Sequence, residues 1–218
     1  MNEQKPKSGR GCLLWGGIAA GVLFLIILLA VMTAVRTAKR YINEYTDATP
    51  LTLPTVQVTD EEVSRVRERI SKFRDAMQSG KTVEPLIVTT DEANALIAKD
   101  PELKGLQGHF YLTFDEGKVQ AQMSLPADQL GIKLLKGRYL NGTGVFNVSL
   151  RGGALWVSPE SMSTSKGKTF PEDVMRGLRT ANFAANYTNN PDFNAAIAKV
   201  EDIQVKPGQL VIIPKKPQ

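Results

Sequence analysis

One histidine, His109, and one cysteine, Cys12, are all the imidazole and thiol chemistry the chain has. A zinc centre of the usual four His and Cys ligands cannot be assembled from them. A Ser-His-Asp arrangement would have to use His109, and no serine stands in a G-x-S-x-G setting. Oxygen-rich stretches that could attract calcium occur at Asp115-Glu116-Gly117 and at Asn189-Asn190-Pro191-Asp192, and both read first as turn and cap chemistry. Adjacent carboxylates stand at Asp91-Glu92, Glu172-Asp173 and Glu201-Asp202; the first two open helices, where acids offset the helix dipole. No phosphate-binding or dinucleotide glycine pattern is present. The sequence therefore predicts no catalytic residue, no cofactor and no metal site.

The residues left for function are ones that make contacts. Gln120, Gln122, Ser124, Asn147 and Ser149 alternate with apolar residues and form one polar face of a sheet, so Gln120, Gln122 and Asn147 are candidate surface contacts. Gly17 and Gly21 make a GxxxG pair inside an apolar run, the spacing that lets two membrane helices meet closely and form a homodimer. Three sequons, at Asn141, Asn147 and Asn186, matter only on a eukaryotic secretory route.

What must carry these residues begins with the apolar run itself. Residues 13–35 contain 23 positions without a charge. At about 1.5 Å per residue that is roughly 34 Å of helix, against a hydrocarbon core of about 30 Å. A cleaved signal peptide has a shorter apolar core; the rival reading, cleavage after Ala38, is opposed by Arg36. Residues 1–40 hold six of the 27 basic groups and one of the 22 acids, which is the whole of the net +5. The remainder is balanced, so it offers no basic stripe for nucleic acid. Three basic residues flank the run on each side, and a short basic tail before a long domain places the N-terminus in the cytoplasm and residues 41–218 outside. Cys12 precedes the run, unlike a lipoprotein cysteine, and reads as a small residue at the boundary. The organisation expected is a tail at 1–12, a transmembrane helix at 13–35, an extended linker at 36–59 and a domain at 60–218.

Within that domain Thr59 and Glu62 form a capping box, followed by Val63, Val66, Ile70, Phe73 and Met77 on one helical face. A two-heptad coiled coil is the alternative use of that face. A short strand at Ile87-Val88 precedes a second box, Thr89 and Glu92, whose helix turns Ala93, Leu96 and Ile97 inward and ends before Pro101. Period-two alternation predicts hairpins over about 110–125 and 138–164, with Asn141-Gly142 as a bulge or further turn. Helices then carry Val174, Leu178, Ala181 and Ala185, and Phe193, Ile197 and Val200, inward; a last hairpin turns at Pro207-Gly208. The fold class predicted is α+β: an N-terminal transmembrane helix, then one domain with an antiparallel sheet covered by helices on one face.

Thr90-Asp91-Glu92-Ala93-Asn94-Ala95-Leu96-Ile97, then a hairpin, then Gly137-Arg138-Tyr139-Leu140-Asn141-Gly142, then Lys166-Gly167-Lys168-Thr169-Phe170-Pro171-Glu172 before a helix, resembles bacterial single-pass envelope proteins. The layout is also distantly similar to the YpmS family, which has an N-terminal anchor and a T-x-x-E-x-N-A-L-I helix before the sheet. The resemblance covers residues 85–215 at most. It implies an extracytoplasmic domain on a cell membrane and no catalytic residues. Three functions fit: a non-catalytic anchored domain that binds an envelope protein, glycan or lipid; a carrier of an apolar ligand between sheet and helix; and a hydrolase acting through carboxylates such as Asp115 and Glu116.

Overall fold

The computed structural model describes residues 10–130, 133–185 and 190–216, with the side chains of residues 10–22, 129, 130 and 133 outside the description. It forms two compact units, residues 1–44 and 45–218. Among the described residues the first holds a single helix, α1 (Arg10–Tyr45). Its described apolar side chains, from Leu23 to Val35, are exposed. Among the described residues no helix is long and apolar enough to cross a membrane, and the first ten residues of the uncharged run have their side chains outside that description. Gly17 and Gly21 fall on the same undescribed stretch of α1. The helix continues through residues 36–45, where an extended linker was expected. That segment has no Gly or Pro, and extending a helix costs far less than starting one.

The second unit is α+β, with two antiparallel sheets where one was predicted. The larger orders β2 (Phe110–Asp115), β3 (Lys118–Pro126), β4 (Tyr139–Arg151) and β5 (Ala154–Thr164) as a meander. The smaller places β1 (Leu86–Thr89) against β7 (Gln209–Pro214), which pairs with β6 (Val200–Lys206). Alternation in sequence reveals a strand but not its partner, which is why the joining of β1 to the C-terminal hairpin was not foreseen. The sheets interlock at their turns: Gly117 N–H donates to Val205 O (3.0 Å), and Gly208 N–H donates to Phe114 O (2.9 Å). Gly208 holds φ +75°, the left-handed conformation the Pro207-Gly208 turn requires.

Helix α2 (Asp60–Gln78) buries Val63, Val66, Phe73 and Met77, as its periodicity predicted. Phe73 and Met77 pack on Leu86, Val88 and Val200. The other core cluster joins Phe114, Val119, Ala121, Met123 and Phe146 with Val205. Both capping boxes are formed, at Thr59–Glu62 and Thr89–Glu92. Helix α4 (Glu172–Arg179) turns differently from its predicted face: Met175 is buried at 2 % exposure, while Val174 is exposed. Its Arg179 reaches the Glu160 carbonyl and the Glu172 carboxylate. Asn190 caps α5 (Pro191–Ile197), donor groups of Asp192 and Phe193 meeting its side-chain oxygen.

Helix α3 (Thr90–Lys99) also differs. Its buried residues are Asn94, Ala95 and Ile97. Asn94 faces the free edge of β2: its Nδ2 donates to Leu112 O (2.8 Å), and Leu112 N–H donates to its Oδ1 (2.7 Å). The side-chain amide thus replaces the peptide of a missing strand. At the opposite edge Asn182 does the same for β5, accepting from Val157 N–H (3.0 Å) and donating to Leu155 O (2.9 Å). Removing either carboxamide leaves a peptide donor and acceptor unpaired. Asn94→Ala and Asn182→Ala are each expected to lower stability by about 2–3 kcal/mol. Urea unfolding measures this, and a midpoint unchanged in either variant would refute the edge role.

Candidate functional site

Two features of the second unit hold most of its organised polar chemistry. The first is the path of the chain after α1. Residues 48–59 form neither helix nor strand, and residues 46–51 do not run free: they dock on the larger sheet. Asp47 and Tyr139 exchange both backbone hydrogen bonds at 2.8 Å. Arg138 donates from Nε to Thr46 Oγ1 and from Nη2 to Thr46 O (2.9 Å). Tyr45 and Phe170 meet with ring centroids 5.4 Å apart.

Asn141 lies at the centre of this dock, buried to 6 % exposure. Its Oδ1 accepts from Leu51 N–H (3.1 Å) and Ser124 Oγ (2.8 Å); its Nδ2 donates to Thr49 O (2.8 Å) and Asp47 Oδ2 (3.1 Å). Every hydrogen-bonding position of the side chain is filled. Asp47 also receives Lys166 Nζ (2.8 Å) and Ser165 Oγ (2.9 Å). Burial pushes its pKa up, and the bonds from Lys166, Ser165 and Asn141 outweigh that and hold it below the usual carboxylate value.

Asn141-Gly142 is therefore neither a turn nor the bulge; the register shift falls between Val145 and Phe146. Gly142 is needed because β5 comes close: a Cβ there would lie 2.0 Å from Ser163 O. Ser124, predicted for a solvated face, is covered by the docked segment. Gln120 and Gln122 remain exposed on that face, with Gln120 donating to Asp115 (3.3 Å). Asn147 is half-buried, accepts from Lys118 Nζ (2.6 Å) and faces Glu160, itself 2.5 Å from Lys118. These three candidate contacts share one face but do not converge on a cavity. The Asn186 sequon lies outside the described residues; the Asn141 amide is buried.

The second feature is a groove of about 620 Å³ between the extended segment, α2, α3 and β2. Gln57, Arg65, Arg69, Asp91, Glu92 and Tyr111 line it. Arg69 forms one wall, donating to Glu92 Oε2 (2.6 Å) and to Ile87 O (3.0 Å). Glu92 accepts in addition from Thr89 N–H (3.0 Å), so the same carboxylate caps α3. Burial raises its pKa, and Arg69 and Thr89 lower it by more. Arg65 and Asp91 are exposed in the groove, and neither is in an ion pair among the described residues. Charges of both signs, an amide and a phenol lie there beside apolar Val56, Val58, Val66 and Ala95, so the groove is mixed in character. Nothing in the sequence indicated this groove, because its wall depends on where residues 55–58 fold back.

The residues with chemical potential are placed structurally. His109 Nδ1 lies 2.9 Å from the Ser124 carbonyl, which makes that nitrogen the protonated one. Asp115 accepts from the Glu116 N–H (3.0 Å) in its turn. Asp202 accepts from Ile203 N–H (2.9 Å). Among the described residues no three His, Cys, Asp or Glu side chains cluster as metal ligands would.

The dock yields two expectations. Asn141→Ala removes four bonds from a buried centre and is expected to cost about 2–4 kcal/mol and to open residues 48–58 to proteolysis. Asp47→Asn has a pH signature. Since the folded-state pKa of Asp47 is depressed, its contribution is complete above the unfolded-state value and is lost as pH falls through the folded-state value. The stability gap between wild type and Asp47→Asn in urea titrations should be full at neutral pH and close in acid below about pH 4. A gap independent of pH would show that the carboxylate's charge does not hold the dock.

No family model matches the chain, and neither a curated protein nor a solved structure matches it significantly.

Proposed function

We propose that the chain is a membrane-anchored, non-catalytic domain that works outside the cytoplasm by binding an envelope partner, a protein, glycan or lipid. The observation that carries this reading is the exposed apolar surface of α1. Leu23, Phe24, Leu25, Ile26, Ile27, Leu28 and Leu29 are consecutive and each is 46–67 % exposed, so apolar groups face outward on every side of the helix. A helix apolar all round has no polar face to give to water and fits a bilayer. Residues 13–22 extend the run in sequence to a length that spans the hydrocarbon, and Arg36, Lys39, Arg40 and Tyr41 follow as interfacial residues. The Gly17–Gly21 spacing would let two such helices pair.

The contact reading over catalysis is supported by the engagement of His109, Asp115 and Glu92 in turns, caps and strand edges. It is favoured over an apolar-ligand carrier because Phe73, Met77, Phe114, Met123 and Phe146 fill the space between sheets and helix. The likeness to the YpmS family belongs to the same proposal.

Full-length protein is expected to stay with membranes through an alkaline carbonate wash. Leu25→Arg with Leu29→Arg, each costing about 2.5–3.5 kcal/mol at mid-membrane, should release it. Recovery of the wild type from the aqueous fraction without detergent would defeat the proposal. A photo-crosslinker at Gln57, on the groove rim, should give a discrete adduct in membranes that the same group at Glu116 does not. Equal patterns from both positions would separate the partner from the groove.

A further inference from the structure

We propose that the groove takes an extended segment of a partner protein, laid as an added strand along the backbone of residues 52–58. The proposal rests on the contact reading above and names what the partner would meet: main chain first, side chains second. Residues 50–59 run without helix, turn or bend. Thr49 and Leu53 each precede a proline, which disfavours helical backbone at both, and Thr59 has φ −82° and ψ 159°, in the extended region. Both ends of the stretch are fixed. Leu51 N–H donates to Ser124 Oγ (3.0 Å) and Asn141 Oδ1 (3.1 Å), and Thr59 N–H donates to Glu62 Oε2 (2.8 Å). Between these points no backbone N–H or C=O of residues 52–58 makes a hydrogen bond among the described residues.

Elsewhere the domain does not leave such groups open. The outer strands of its two sheets are β1, β6, β2 and β5, and each is met on its edge. Asn94 serves β2 and Asn182 serves β5. On β1, Arg69 Nη2 donates to Ile87 O (3.0 Å) and Thr89 N–H donates to Glu92 (3.0 Å). On β6, Val205 O accepts from Gly117 N–H (3.0 Å). Covering of this kind keeps another chain from adding a strand. Residues 52–58 lack it, and residues 55–58 form a wall of the groove.

The side chains on that wall alternate. Val56 and Val58 are half-buried, and Thr55 and Gln57 are exposed. A strand packed on one face shows this alternation, and its backbone groups then point sideways, from successive residues to opposite edges. Pro54 has no N–H, so Thr55, Val56, Gln57 and Val58 carry the pairing. Main-chain bonds of an added strand supply affinity, and the surroundings supply selectivity. Arg65 on α2 and Asp91 on α3 are exposed in the groove, one charge of each sign. They suit a peptide carrying both an acid and a base, and disfavour a wholly acidic or basic tract.

The test pans the full-length chain, in detergent, against random dodecapeptides displayed on phage. A selected peptide, made synthetically, should protect amides among residues 55–58 from hydrogen exchange; in the free protein those amides should be unprotected. Methylating every second backbone nitrogen of the peptide should weaken binding tenfold or more for one alternating set and not for the other. In the protein, Val56→Pro and Gln57→Pro delete amides on opposite edges, and one of the two should cost tenfold where alanine at that position does not. The methylated peptides read out on the unaltered chain, so a proline variant that fails to fold does not blunt the test. If no peptide is selected, or if both methylated sets bind as the parent does, the strand pairing is wrong. Protection of residues 55–58 that grows with the concentration of the free protein would assign the edge to a second copy of the chain and overturn the proposal equally. A chain that stays with membranes and gives a discrete adduct at Gln57, yet fails these tests, keeps the contact reading and loses only the added strand.

Discussion

A carboxamide taken out of water must find partners for two donors and a carbonyl with two lone pairs, or cost the fold several kcal/mol. Asn141 meets that requirement in full, and it does so with groups from two distant parts of the chain: Ser124 of β3, and Asp47, Thr49 and Leu51 of the extended segment. The segment cannot leave without stranding the amide, and the amide cannot be buried without the segment. Asn94 and Asn182 apply the same constraint to the sheet's outer strands, where unpaired peptide groups would otherwise invite another chain. In each case a side chain stands in for backbone. The four-stranded sheet is thereby closed at both edges and along the strip where the chain arrives.

Electrostatics tie the groove to the helices that frame it. Three ion pairs join α2 to α3 or its cap: Arg67–Asp100 at 3.0 Å, Arg69–Glu92 at 2.6 Å and Lys99–Asp60 at 2.6 Å. The exposed ones are worth little singly. Glu92 is different because it serves the cap of α3, the pair with Arg69 and the wall of the groove at once. Altering it would change the groove's shape and the domain's stability together. Gln57, Arg65 and Asp91 line the groove without joining an ion pair between the helices among the described residues.

Local chemistry was legible in the sequence and long-range partnership was not. The capping boxes at Thr59 and Thr89 formed as read, because their donors and acceptors lie three residues apart. The Asp115-Gly117 and Pro207-Gly208 turns and the α2 face were equally local. Asn94 was passed over because a polar residue among Ala93, Leu96 and Ile97 reads as a solvent position. Only the edge of β2, far along the chain, gives it a reason to be buried. Asn141-Gly142 has the composition of a turn, and what overrides it is the approach of Ser163 and the arrival of Thr49. Residues 46–59, rich in Thr and Pro, have no period of their own and so looked like a tether; tertiary hydrogen bonds at Thr46, Asp47, Thr49 and Leu51 fix the first part of it as a strip. The groove is the product of that strip, which is why no motif announced it.

The docking of the strip also changes how far the domain can search. Residues 36–59 as a flexible chain would have an end-to-end distance of about 27 Å, taking 5–6 Å per square root of the residue count. With residues 36–45 helical and 46–51 pinned at Thr46, Asp47 and Leu51, that freedom is removed from the linker. Loosening the dock would free the stretch of chain that leads to the groove's wall at residues 55–58, so the shape of the groove depends on hydrogen bonds made at residues 46–51, outside it.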